Sequence, residues 1–321
     1  MAVQKKKDGS PNVKFYETVE TIAQFDSVRT WLHKNYKKYT QADPPTNKGL
    51  ASLVVQLLQF QEDAFGKHVS NPALTKLPMK CFLDFKPGGA LCHIFAATFK
   101  YKSEQGWRRF DFQSPSRMDR NVEMFMTIEK TLVSNKALQM PHIYIRPDVD
   151  KCLISKLKDI VNRRKGTLCD NADDATHVVH NLPPNSPADE EWVRPVMRRE
   201  RSAIIHWWYY PDSYDTWVTD LHIDDPDQHA KQDSVEVTAR WLLDLEEFNE
   251  WMNEDDYLIE DEYETRKGRN KRVRMTIDDL LANPESDRKR EKKGKRKRSP
   301  SPLPEKRKRK SGRTPGSSST S

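Results

Sequence analysis

Apolar residues recur at helical spacing early in the chain. Between 21 and 39, Ile22, Phe25, Val28, Leu32 and Tyr36 share one face with Trp31 beside them, which predicts an amphipathic helix. Pro44 and Pro45 break the pattern, and Leu50, Leu53, Val54, Leu57, Leu58 and Phe65 then mark a second helix. From Met79 the texture changes. The stretches 81–85, 93–101 and 107–112 are rich in β-branched and aromatic residues and are separated by Gly88-Gly89 and Gly106, which predicts two or three antiparallel strands. A helix over 118–136, carrying Val122, Phe125, Met126 and Leu132, closes this first unit. After a polar start at 1–14, the order helix, helix, sheet, helix over 15–138 is compatible with a winged helix.

A different rhythm follows. Ile143-Tyr144-Ile145 reads as a strand, and Leu153, Ile154, Leu157, Ile160 and Val161 as a helix that Gly166 ends. Short strands at 167–169 and 176–179 continue the alternation of strand and helix typical of a parallel sheet. Pro, Asn, Ser and acidic residues at 182–190 interrupt it. Four Trp and three Tyr then crowd into 192–217, with Pro211-Asp212-Ser213 as a turn, which predicts a small inserted β module over 189–218. The helical pattern resumes at 238 with Trp241, Leu242, Leu245, Phe248 and Trp251, so 233–260 completes the unit begun at 140–183. The fold class expected is therefore α+β followed by α/β.

Composition refines this picture at the C-terminal end. A mean hydropathy of −0.89 and 36% apolar residues would suit a disordered chain, yet all eight Trp lie before residue 252. The tail 266–321 carries 21 Lys and Arg against 6 Asp and Glu, a net of +15, which leaves the body at −8. The tail is expected to be disordered and the body folded. Cys81, Cys92, Cys152 and Cys169 are widely spaced and nothing at the start resembles a signal peptide, so a reducing intracellular setting is expected. No apolar run approaches the ~20 residues of a membrane-spanning helix, and the chain reads as soluble, with no membrane partner.

The run Ala203 to Val218, A-I-I-H-W-W-Y-Y-P-D-S-Y-D-T-W-V, resembles a chromodomain, with Ile205, Trp207, Tyr210, Pro211 and Thr216-Trp217 at that family's strand, aromatic, turn and closing positions. The resemblance implies a possible methyl-lysine cage of Trp192, Trp207 and Tyr210, in which each cation–π contact is worth roughly 0.5–2 kcal/mol. Tyr209 and Trp208 depart from the family's Gly and Lys, and the bland alternative is that these aromatics form a core or an inter-unit face. The flanking segments resemble the two parts of a BRCT domain. Ile143 and Ile145 stand on its first strand, Val178 and Val179 on its A-T-H-V-V strand, and Trp241 at the signature position of its last helix. These five are the expected BRCT-like core.

Taken together with F-Y-E-T-V-E-T-I-A-Q-F-D-S-V-R-T-W-L at Phe15 to Leu32, the order resembles the N-terminal module of the SMARCC family, scaffold subunits of SWI/SNF (BAF/PBAF) chromatin remodellers. That resemblance implies a MarR-like winged-helix unit, a split BRCT-like domain with a chromodomain-like insert, and a longer parent protein of which this is an N-terminal piece. It also implies docking onto other SWI/SNF subunits, including the ATPase and core subunits, with histone tails as a further possible partner.

The remaining chemistry is sparse. Lys34, Lys37 and Lys38 form a local basic patch, but a body of net −8 is the opposite of a duplex-binding footprint, so nucleic-acid contact is expected to be weak and mainly through the tail. Two basic clusters there suit an import receptor and hence a nuclear location: Lys292, Lys293, Lys295, Arg296, Lys297 and Arg298, then Lys306, Arg307, Lys308, Arg309 and Lys310. Ser299 and Ser301, each followed by Pro, and Thr314 are candidate phosphorylation sites, each phosphate subtracting about 1.5–2 charges. His206, His222 and His229 with Asp224, Asp225 and Asp227 match no metal-ligand spacing, and no Gly-rich phosphate loop, nucleophile elbow or H-E-x-x-H is present. The expectation is a non-catalytic scaffold without cofactor or metal. The alternatives are a methyl-lysine histone-tail reader and a winged-helix DNA-binding regulator.

Overall fold

The computed structural model describes residues 14–183, 192–208, 214–219 and 234–259, with the backbone alone at 192–194, 207, 208 and 214. No described helix is long and apolar enough to cross a membrane.

The regular elements of the first part are helices among its described residues: α1 (Lys14–Glu17), α2 (Val19–Asn35), α3 (Lys37–Thr40), α4 (Asn47–Phe65), α5 (Met79–Phe82), α6 (Ala90–Glu104) and α7 (Met118–Ser134). Local chemistry sets the starts. Thr18 caps α2 by accepting from Thr21 N, and Thr46 caps α4 by accepting from Gly49 N at 3.0 Å. Phe25, Val28 and Leu32 of α2, Leu50, Val54 and Leu57 of α4, and Ile128 and Leu132 of α7 meet around α6 in one core.

The strands expected over 81–85, 93–101 and 107–112 are corrected. Residues 79–82 and 90–104 are helical, and 107–112 runs unpaired, with Phe110 and Phe112 stacked at 5.8 Å. Gly88, at φ 73°, turns the chain into α6, and Asp84 Oδ2 accepts from Ala90 N at 2.8 Å, capping the helix from outside. Leu91, Ile94, Phe95, Thr98 and Tyr101 are all buried, together with Cys92, Ala96, Ala97 and Phe99. A helix buried nearly all round is apolar nearly all round, which hides its period. The winged-helix expectation is corrected to that extent, since 14–138 contains no strand among its described residues.

Next come β1 (His142–Ile145), α8 (Lys151–Arg163), β2 (Thr167–Leu168), β3 (His177–His180), β7 (Val235–Thr238) and α9 (Arg240–Phe248). The four strands form a wholly parallel sheet in the order β2-β1-β3-β7. Ile143, Val179 and Val237 face Leu157, Ile160 and Val161 of α8 and Trp241, Leu242 and Leu245 of α9. Gly166 packs so tightly that a Cβ there would press on Val161 and the Trp251 ring. Between β3 and β7 the chain makes an antiparallel sheet of β4 (Trp192–Arg199), β5 (Ser202–Trp208) and β6 (Tyr214–Thr219), with a bulge between Pro195 and Met197. This insert leans on the helical part: Ile204 is buried in the helical core, and Val196, Met197 and Trp217 pack against it.

Candidate functional site

The helices, the parallel sheet and the insert are fastened to one another by the chain that leaves α9. Asn249 ends that helix in the left-handed conformation, φ 51° and ψ 42°, a role asparagine fills at low cost. Its side-chain Nδ2 donates to Phe65 O and to Leu74 O, both at 2.8 Å, and its own carbonyl accepts from Lys76 N at 2.9 Å. Lys76 is buried, with Nζ 2.7 Å from Glu62 and 3.9 Å from Glu250. Around this centre the Lys67 and Glu247 side chains pair at 2.9 Å, and Lys165 and Glu129 at 2.8 Å.

A few residues on, Trp241 Nε1 donates to Met252 O at 2.8 Å and Tyr257 OH donates to Asp244 at 2.7 Å, which pin the intervening 3-10 turn Glu254–Asp256. This acidic turn is where the three parts meet. Glu254 Oε1 lies 3.1 Å from His177 Nε2 of β3 and 3.2 Å from Lys80 Nζ of α5. Burial would raise its carboxyl pKa, but the hydrogen bond from His177 and the Lys80 charge outweigh that and hold it at about 2. His177 also stacks flat on Trp241, with centroids 4.6 Å apart.

From the insert, His206 enters the same junction. Its ring is fully buried, with Nδ1 2.7 Å from Asp215 of β6 and Nε2 3.0 Å from Asp256 of the turn. Burial opposes the imidazolium charge, and the Asp256 and Asp215 carboxylates overcome it, so the His206 pKa is raised. Nδ1 is hydrogen-bonded to Asp215, Nε2 meets Asp256 as an ion pair, and the three residues do not form a metal-holding group. The insert's second tie is Trp217 Nε1, which donates to the buried Thr21 hydroxyl at 2.8 Å. Such contacts transmit position and charge between parts.

The residues singled out from sequence are distributed as follows. Ile143, Val179 and Trp241 are buried in the parallel-sheet core and Ile145 packs against it. Val178 is buried on the other face of the sheet, where with Tyr144, Arg146 and Glu236 it lines a groove of about 520 Å³. In the insert, Trp192 is in register with Trp208 and Val193 with Trp207, so positions 192 and 207 fall on opposite faces of the sheet. Lys34, Lys37 and Lys38 are exposed. Tyr210, His222, His229, Asp224, Asp225, Asp227, both tail clusters and Ser299, Ser301 and Thr314 lie outside the described residues.

Sequence reasoning missed Asn249, Lys76, Glu254 and the His206 pair. Asn249 carried a signal, an asparagine directly after the last apolar residue of a helix. His206 carried a weaker one, as a lone polar residue in the run Ala203-Ile204-Ile205. Nothing marked Lys76 out from any surface lysine.

Residues 5–138 match the family model described as the SWIRM-associated domain at the N-terminal. This non-catalytic domain is a feature of SWI/SNF-type chromatin-associated subunits such as those of the SMARCC family, and it implies a nuclear protein with a scaffold role. The match covers the described helical part, through α7, and ends before β1.

Proposed function

We propose that this chain is a non-catalytic scaffold module of an ATP-dependent SWI/SNF-type remodeller, holding the ATPase and core subunits through protein contacts. The match of residues 5–138 carries the reading. The rest of the chain supports it. The parallel order β2-β1-β3-β7, with α8 before β2 and α9 after β7, suits a BRCT-like domain split by an insert. The three antiparallel strands of that insert suit a chromodomain-like module turned to packing, with Trp217 anchored on Thr21.

A scaffold needs its parts fixed relative to one another, and the Asn249 and Glu254 contacts supply that. The methyl-lysine reader is the less favoured reading, because a cage needs positions 192 and 207 on one side of the sheet. The tail, at net +15, is assigned to nuclear import and to loose contact with nucleic acid. Reconstitution tests the reading: the full chain should co-elute with purified remodeller core subunits and show no ATPase activity alone. Failure to co-elute with any of them would contradict it.

A further inference from the structure

His206 is buried with a carboxylate oxygen at each ring nitrogen, Asp215 at 2.7 Å and Asp256 at 3.0 Å. A neutral imidazole has one N–H and one lone pair, so it can satisfy only one of two carboxylates. The other would face a lone pair beside a fully buried ring, where an unpaired charge is strongly disfavoured. An imidazolium donates from Nδ1 to Asp215 and, with Nε2 off hydrogen-bond geometry, holds Asp256 as an ion pair. The contact also joins parts distant in sequence: His206 on β5 and Asp215 on β6 belong to the insert, while Asp256 belongs to the turn that carries Glu254, held by His177 and Lys80.

We propose that His206 is a proton-operated latch: protonated, it clamps the inserted sheet onto the Glu254–Asp256 turn, and on losing the Nε2 proton to solvent it releases Asp256 and loosens the insert. Among the described residues, Asp215 from β6, Asp256 from the turn and Tyr16 from α1, whose hydroxyl donates to Phe82 O at 2.9 Å, face this site. On β4, position 194, an arginine, is the register partner of His206. The Tyr16 phenol is held well above its ordinary pKa by burial and by the Asp215 charge, so it stays neutral while His206 titrates.

The sign follows from the raised His206 pKa. The clamp is fully present below the ordinary histidine value and is lost as pH rises through the folded-state value. The latch is intramolecular, so it stands or falls independently of which subunits the chain binds.

The test is nitrogen-15 NMR of the histidine rings in the full chain, paired with hydrogen exchange of β5, β6 and 254–259, from pH 6 to pH 9. Both His206 nitrogens should be protonated at pH 6. Above the His206 pKa the opening constant of those amides should rise about tenfold per pH unit, the slope of one proton. Asp256→Asn, which keeps the size and shape of this nearly buried side chain, should keep the fold, lower the His206 pKa and remove the pH dependence, and His206→Gln should remove it as well. A His206 ring that is singly protonated at pH 6, or one that titrates while exchange stays flat, would overturn the proposal.

Discussion

One amide group of Asn249 holds the Phe65 carbonyl at the end of α4, 184 residues away in sequence, at 2.8 Å. The same nitrogen holds Leu74 O, so a single side chain satisfies two buried acceptors of the helical part from the end of a helix in the parallel-sheet part. Replacing it by glycine keeps the left-handed backbone and removes only the side chain. Asn249→Gly should therefore cost about 2–4 kcal/mol, since two buried carbonyls lose their donor. Chemical denaturation should report it as a lower midpoint, with the helical and sheet parts beginning to unfold separately.

The Glu254 carboxyl, held at about 2, contributes stability that is present above the ordinary carboxylate pKa and lost as pH falls from about 4.5 toward 2. The full linkage is at most about 3 kcal/mol, and the half-exposed Lys80 makes the smaller share. Glu254→Gln should flatten this acid limb. Urea midpoints of both proteins at pH 7, 4 and 3 measure it.

Trp217 and Thr21 should be energetically coupled although 196 residues separate them. A double-mutant cycle of Trp217→Phe and Thr21→Val should return about 1 kcal/mol, the worth of one part-buried hydrogen bond. Additive single effects would mean that the insert does not rest on α2 in solution.

Gly166→Ala should destabilise the sheet part by about 1–3 kcal/mol through overpacking, because the new methyl meets Val161 and Trp251. Near-ultraviolet circular dichroism should show the Trp251 environment change while the helical part keeps its signal.

Much of this architecture was legible along the chain. The helices α2, α4, α7, α8 and α9 each bury one stripe, and such stripes are visible as a period of 3.6. Three strands of the parallel sheet, β1, β2 and β3, were legible because they are short and separated by a helix or by turn residues, whereas β7 was not, its four residues running straight into α9. α6 was misread for the opposite reason: with Leu91, Cys92, Ile94, Phe95, Ala96, Ala97 and Phe99 all buried, no polar face remained to show the period, and its aromatics resembled a strand.

The junction was the least legible feature. Lys76, Glu254 and His206 look like ordinary surface residues until the fold brings Glu62, His177 and Asp256 to them from 14, 77 and 50 positions away. Long-range polar pairing leaves no local pattern. The helix-capping role of Asn249 did leave one, stronger than that of His206 in its apolar run.

The central claim is that this chain is a scaffold held rigid and used through protein contacts. Cross-linking mass spectrometry of the full chain within an assembled SWI/SNF-type remodeller tests it most directly. The exposed lysines of α2, α3 and α7 should link to core subunits, while links within the body, such as Lys67 to Lys165, should stay the same free and assembled. Links confined to histones or DNA, or a body whose internal links change on assembly, would contradict it.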